Sequence, residues 1–189
     1  MFARLATTLF ALTAAIVALA ACGAGNDAST AKAPDYRTAL AGAPRPLAQL
    51  YARGDRLLDG GTDAFQAELD SLHGYPVVVN KWASWCEPCR REFPYLQQLS
   101  VRFGKRVAFV GVDANDSTAA AQTFLGEFPL PYPSYIDQDQ EISRLLGATA
   151  GFPATAFYDR SGQRVFVKQG EYASQAELAA DIRRHALGD

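Results

Sequence analysis

The β-branched run Val77-Val78-Val79 is followed closely by Cys86-Glu87-Pro88-Cys89, and then by Phe93, Leu96, Leu99 and Phe103 on one helical stripe. A short apolar β-branched run reads as a buried strand, and the stripe predicts a helix from Glu87 to about Phe103. The two cysteines therefore stand where a strand gives way to a helix. With two residues between them they can close a disulfide across the first helical turn, but they enclose no long loop for a structural staple to constrain. A working pair is the better reading. Exposed amides at the helix start favour negative charge, so Cys86, placed at the exposed tip, is the expected nucleophile. Pro88 costs little so early in a helix, whereas Pro94 is expected to kink it.

Upstream, Leu47, Leu50, Tyr51, Leu57 and Leu58 recur at helical spacing until Gly60-Gly61 stops them, and Phe65, Leu69 and Leu72 predict a second helix. Downstream, Val107 to Val112 reads as a strand, and Ser117 to Phe128 as a helix capped by Ser117 or Asp116. A short strand around Ser134 to Ile136 and a helical turn at Glu141 to Leu146 follow. Ala154 to Tyr158 and Val165 to Lys168, joined by Asp159-Arg160-Ser161-Gly162, read as an antiparallel hairpin, and Ala176 to Leu187 as a closing helix. Strands alternating with helices and ending in a hairpin predict an α/β fold of three layers, α/β/α, around a mixed central sheet.

The N-terminus reads as an address. Arg4 precedes an apolar stretch, Leu9 to Ala21, and Leu19-Ala20-Ala21-Cys22-Gly23 resembles the bacterial lipobox, which is cut before a cysteine that becomes lipidated. Residues 1–21 would then be a lipoprotein signal peptide and Cys22 the lipid anchor; a plain signal peptide or an uncleaved apolar helix are the alternatives. Residues 22–43, small and polar, are expected to be a flexible tether before a domain over 44–189. An extracytoplasmic, membrane-anchored location follows from this reading. A formal charge of -2 over 189 residues, with no dense run of Lys or Arg, argues against a nucleic-acid partner.

The pair's chemistry is thiol–disulfide exchange: Cys86 attacks a partner's disulfide and Cys89 then displaces the partner from the mixed disulfide. Zinc would need further ligands, and His73 and His185 lack ligand spacing; copper would want a nearby His or Met, and the sole Met is Met1. No metal and no cofactor beyond the redox-active cysteine pair is expected.

The segment Val79-Asn80-Lys81-Trp82-Ala83-Ser84-Trp85-Cys86-Glu87-Pro88-Cys89-Arg90-Arg91-Glu92-Phe93-Pro94, with the later Gly151-Phe152-Pro153-Ala154-Thr155, resembles the TlpA/ResA-like branch of the thioredoxin superfamily from about Leu57 onward. The resemblance implies a thioredoxin fold with a central βα insertion, here preceded by an N-terminal helical extension. It implies that Pro153 is a cis-proline facing the cysteines, and on this basis Phe152 is expected to line a substrate groove, with core packing as its alternative. Trp85 is expected at the partner-binding surface and Trp82 in the core. Glu92 matches a glutamate thought to move protons and tune the thiols in such proteins; a solvated surface glutamate is the alternative.

Two departures stand out. Asn80 takes the place of the buried aspartate of ordinary thioredoxins and cannot act as a base, and Lys81 replaces a commoner aromatic, its stem expected along the sheet, with a charge near the pair that favours the thiolate as its alternative. Glu87, between the cysteines, opposes thiolate formation. The implied function is a protein-disulfide reductase acting on exported thiol proteins, cytochrome c maturation among them. It would be recharged by a membrane thiol-reducing partner and would work as a monomer. A disulfide-forming oxidase and a chaperone-like client-binding module remain as alternatives.

Overall fold

The computed structural model describes residues 33–189; the signal peptide expected over 1–21, the lipidation expected at Cys22 and the tether up to residue 32 lie outside them. The expected tether is corrected at its far end. Tyr36–Ala39 form a helical turn (α1) capped by Asp35, which accepts from the Thr38 amide at 3.2 Å and the Thr38 hydroxyl at 2.7 Å. The Tyr36 hydroxyl donates to the Pro129 carbonyl at 2.7 Å. Leu40 is buried against Gly104, where a Cβ would come within 2.7 Å of it. Two large side chains thus dock the segment before residue 43.

After α2 (Arg45–Tyr51) comes β1 (Leu57–Leu58), followed by α3 (Gly61–Ser71), β2 (Val77–Trp82) and α4 (Glu87–Phe103). The chain continues through β3 (Ala108–Ala114), α5 (Thr118–Glu127), β4 (Ser134–Asp137) and α6 (Glu141–Leu145). It ends with β5 (Ala154–Tyr158), β6 (Arg164–Gln169) and α7 (Gln175–Asp181), which widens into a π-helical turn over Ile182–Leu187. Leu57 and Leu58 correct the helical expectation: they pair in parallel with Ser134 and Tyr135, and such distant backbone partners outweigh local spacing. α4 runs unbroken through Pro94, and Ser117 caps α5 by accepting from the Ala120 amide at 3.2 Å.

The six strands lie in the order β1-β4-β3-β2-β5-β6, parallel from β1 to β2, with β5 antiparallel to β2 and β6 antiparallel to β5. One edge is therefore a two-residue strand, and the other, β6, carries Arg164 and Lys168. Between α4 and β5 lie β3, α5, β4 and α6, which accommodates the central βα insertion. The thioredoxin fold and its N-terminal helices are as expected.

Period-two alternation on β2 divides the core. Val78 and Trp82 face one layer with Phe93, Leu96, Phe124 and Leu178, drawn from α4, α5 and α7. Val77 and Val79 face the other with Leu47, Phe65, Leu69 and Ile142, from α2, α3 and α6. Trp82 is fully buried, its indole N–H donating to the Ser134 hydroxyl at 3.1 Å across Gly111. A Cβ at Gly111 would overlap the Ser134 side chain and approach that indole nitrogen to 3.1 Å, so the bridge across β3 requires glycine.

Candidate active site

β2 ends at Trp82, and Ala83, Ser84 and Trp85 lead to Cys86, which occupies the N-cap of α4. Cys86 and Cys89 form a disulfide with their Cα atoms 5.2 Å apart. The Cys89 amide donates to Cys86 Sγ at 3.1 Å, so a donor at the start of a 17-residue helix is already aimed where negative charge develops on reduction. One expectation needs correcting: Cys86 is not at an exposed tip. It is 3% exposed and Cys89 1%, packed in the same cluster as Trp82, Ala83 and Phe93, and Trp85, at 56%, takes the outer position.

The Phe152–Pro153 bond is cis. Phe152 is half-buried, and its ring meets that of Trp85 edge-on at 4.9 Å between centroids. The Trp85 indole N–H donates to the Asn115 carbonyl at 2.9 Å. Trp85 and Phe152 thus come together at the rim beside the cysteines, Trp85 facing solvent as expected.

Glu92 lies one helical turn after Cys89, so the two share a face of α4. It is buried, not a solvated surface residue: 1% of it is exposed and its Oε1 accepts from the Tyr172 amide. Burial pushes its carboxyl up to about 7; the Tyr172 amide and Lys168 pull against this, while Glu171 adds to it. A carboxyl balanced near neutrality beside a cysteine pair can both take and give a proton.

A second buried carboxyl went unnoticed in the sequence. Asp113, at the end of β3 and paired in register with Trp82, is 1% exposed with no hydrogen-bond partner for either oxygen among the described residues. Burial, reinforced by the neighbouring Asp116 carboxylate, pushes it up to about 8. The neutral form of its carboxyl is thereby favoured. Asp116 in turn accepts from the Ser84 amide, from the Ser84 hydroxyl at 2.9 Å and from the Ser117 amide at 2.8 Å. The segment Asn115–Ser117 therefore ties down the chain that delivers Cys86. The available signal was an acidic residue closing the apolar run Ala108-Phe109-Val110-Gly111-Val112.

Asn80 is buried on the Glu92 side of the sheet, its amide atoms without a partner among the described residues. Lys81 points to the opposite face, 1% exposed, where burial lowers its ammonium from the ordinary lysine value while Asp137 acts to raise it. Glu87 stays in solvent near Arg91, which pairs with Glu171 through two guanidinium nitrogens at 2.7 to 3.1 Å.

Known proteins give this arrangement a context. ResA of Bacillus subtilis (strain 168), a thiol-disulfide oxidoreductase, is 30% identical over 110 residues, which cover 58% of this chain and 61% of that one. The thiol:disulfide interchange protein DsbE of Pseudomonas fluorescens biotype C is 41% identical over 92 residues, covering 48% and 49%. The chain thus spans about half to three fifths of the length of these curated relatives. Among solved structures, a secreted Mycobacterium tuberculosis disulfide oxidoreductase homologous to E. coli DsbE superposes with a TM-score of 0.54 at 29% identity, covering 61% of this chain and 85% of that one. Residues 24–182 match the Redoxin family. Since that span takes in both the cysteine junction and the proline loop, the chain belongs to the Redoxin family, within its TlpA/ResA-like thioredoxin branch.

Proposed function

We propose that this protein is a thiol–disulfide oxidoreductase that reduces disulfides of exported proteins through Cys86 and Cys89. The observation that carries the reading is the disulfide at the start of α4, with the Cys89 amide directed at Cys86 Sγ. In the reduced enzyme the Cys86 thiolate attacks one sulfur of the partner's disulfide; that bond breaks, and the departing partner sulfur takes up a proton. Cys89 gives its proton to Glu92, its thiolate attacks Cys86 Sγ, and the second partner sulfur leaves and takes up the proton from Glu92. Two electrons pass to the partner and the enzyme is left as the disulfide.

Asn80 offers no basic group, which leaves Glu92 as the carboxylate on the cysteine face of α4. Trp85 and Phe152 form the surface against which the partner's extended chain lies, with the backbone beside the buried Pro153 offered to it in the manner of strand addition. Recharging requires an external dithiol, and a membrane thiol-reducing protein would supply it. Cytochrome c maturation is one setting in which such a reductase would work.

The leader over residues 1–21 and lipidation at Cys22 would place the domain outside the cytoplasm at the membrane face; among the described residues no helix is long and apolar enough to cross a membrane. The purified domain should reduce insulin disulfides with a dithiol donor, and Cys86→Ser should abolish this. Equal activity of the two proteins would overturn the assignment. Cys89→Ala should accumulate mixed disulfides on Cys86 that identify the clients.

A further inference from the structure

Lys81 lies on the face of β2 opposite Glu92 and is 1% exposed, yet its ammonium is fully hydrogen-bonded. Its ammonium carries three protons, and three oxygens accept them: the Ala148 carbonyl at 2.9 Å, Gln140 Oε1 at 3.1 Å and the Gly151 carbonyl at 3.3 Å. All three acceptors belong to the stretch that begins at the cap of α6 and ends immediately before the cis Phe152–Pro153 bond. The same ammonium lies 3.9 Å from the centroid of the Phe152 ring, whose other close aromatic neighbour is Trp85.

We infer that Lys81 is a positioning residue for partner binding: from the strand that leads into the cysteine loop, it fixes the Ala148–Phe152 loop and so sets the Phe152 side of the partner groove. The inference rests on the oxidoreductase reading above and deepens it.

Two features favour this over simple core stabilisation. Gln140 adopts a left-handed backbone with φ at 56°, which is costly for a residue with a side chain, and in that conformation its amide oxygen reaches Lys81. Asp137, the nearby acid, has its oxygens taken by the Ile142 and Ser143 amides and the Ser143 hydroxyl, so the ammonium's hydrogen bonds are directed to the loop and α6 cap rather than to a carboxylate. An apolar residue at 81 would fill the space but leave two loop carbonyls without their donor and Phe152 without its cation.

The test compares a protein disulfide, insulin, with a small one, hydroxyethyl disulfide, which needs no groove. In Lys81→Met the KM for insulin should rise about tenfold, with kcat and the rate on the small disulfide changed less than about twofold. Gln140→Gly removes one acceptor where glycine suits the backbone, and should raise the insulin KM about threefold. Should Lys81→Met not fold, Gln140→Gly decides alone. An unchanged insulin KM, or equal losses on both disulfides, would overturn the positioning role while leaving the oxidoreductase reading intact. A wild-type protein inactive on both disulfides would overturn the two together.

Discussion

Glu92 and Asp113 are the same kind of group in the same layer, two carboxyls buried to 1% exposure between the sheet and α4, yet they are held differently. Glu92 has a backbone donor and Lys168 nearby, and comes to rest at about 7. Asp113 has no donor among the described residues and a carboxylate, Asp116, as its neighbour, and comes to rest at about 8. Burial alone raises a carboxyl; what surrounds it decides whether the group is set to exchange a proton or to keep one. Glu92 lies one turn from Cys89 on the same face of α4, where the proposed proton exchange would take place, whereas Asp113 neighbours Asp116, the residue that holds Ser84 before Cys86.

The largest effect should come from Asp113→Asn. Asp113 has a folded-state pKa of about 8 against an ordinary 3.8, so the folded protein holds the proton more tightly than the unfolded chain. Stability linked to this group is complete at low pH and declines from about pH 4 to about pH 8. Asparagine removes that decline, and denaturant unfolding at pH 8 should show a gain of up to about 5 kcal/mol that vanishes near pH 4. Insulin reduction should persist. Loss of activity as severe as that of a Glu92 variant would erase the distinction between the two sites.

Glu92→Gln keeps the acceptor for the Tyr172 amide but cannot carry a proton. The reduction rate at pH 7 should fall about tenfold, and the inflection of its pH profile near 7 should disappear. An unchanged profile would leave Glu92 as a buried packing residue. The smallest effect tests the surroundings rather than the group: Lys168→Met withdraws a positive charge that lowers the Glu92 titration, which should move up by a few tenths of a pH unit in a carbon-detected NMR titration, about as expected for a partly solvated charge.

The elements around the cysteines were legible because their signals are local. α4 begins at Glu87 and ends at Phe103 as its apolar stripe indicates, and the hairpin follows from its turn residues. β1 was not legible, because Leu57 and Leu58 become a strand only through Ser134 and Tyr135, far along the chain. The same distance hid the setting of Lys81, whose acceptors lie 59 to 70 residues away, and the bracing of Ser84 by Asp116, 32 residues on. The burial of Cys86 is hidden for a related reason: spacing locates a helix start but not the side chains, Trp82 and Phe93 among them, that pack in its cluster.

The two edges of the sheet bear on how such a protein behaves when crowded. An open edge strand invites pairing with another chain, and long, flat, apolar edges lead to aggregates. Here one edge ends after Leu57 and Leu58, and the other presents Arg164 and Lys168 and is irregular where β5 meets it at Phe157 and Tyr158. Neither is a good template for self-association. A domain proposed to receive cysteine-bearing chains can thus touch them at the end that holds Cys86 without offering its flanks as a seed for their misassembly.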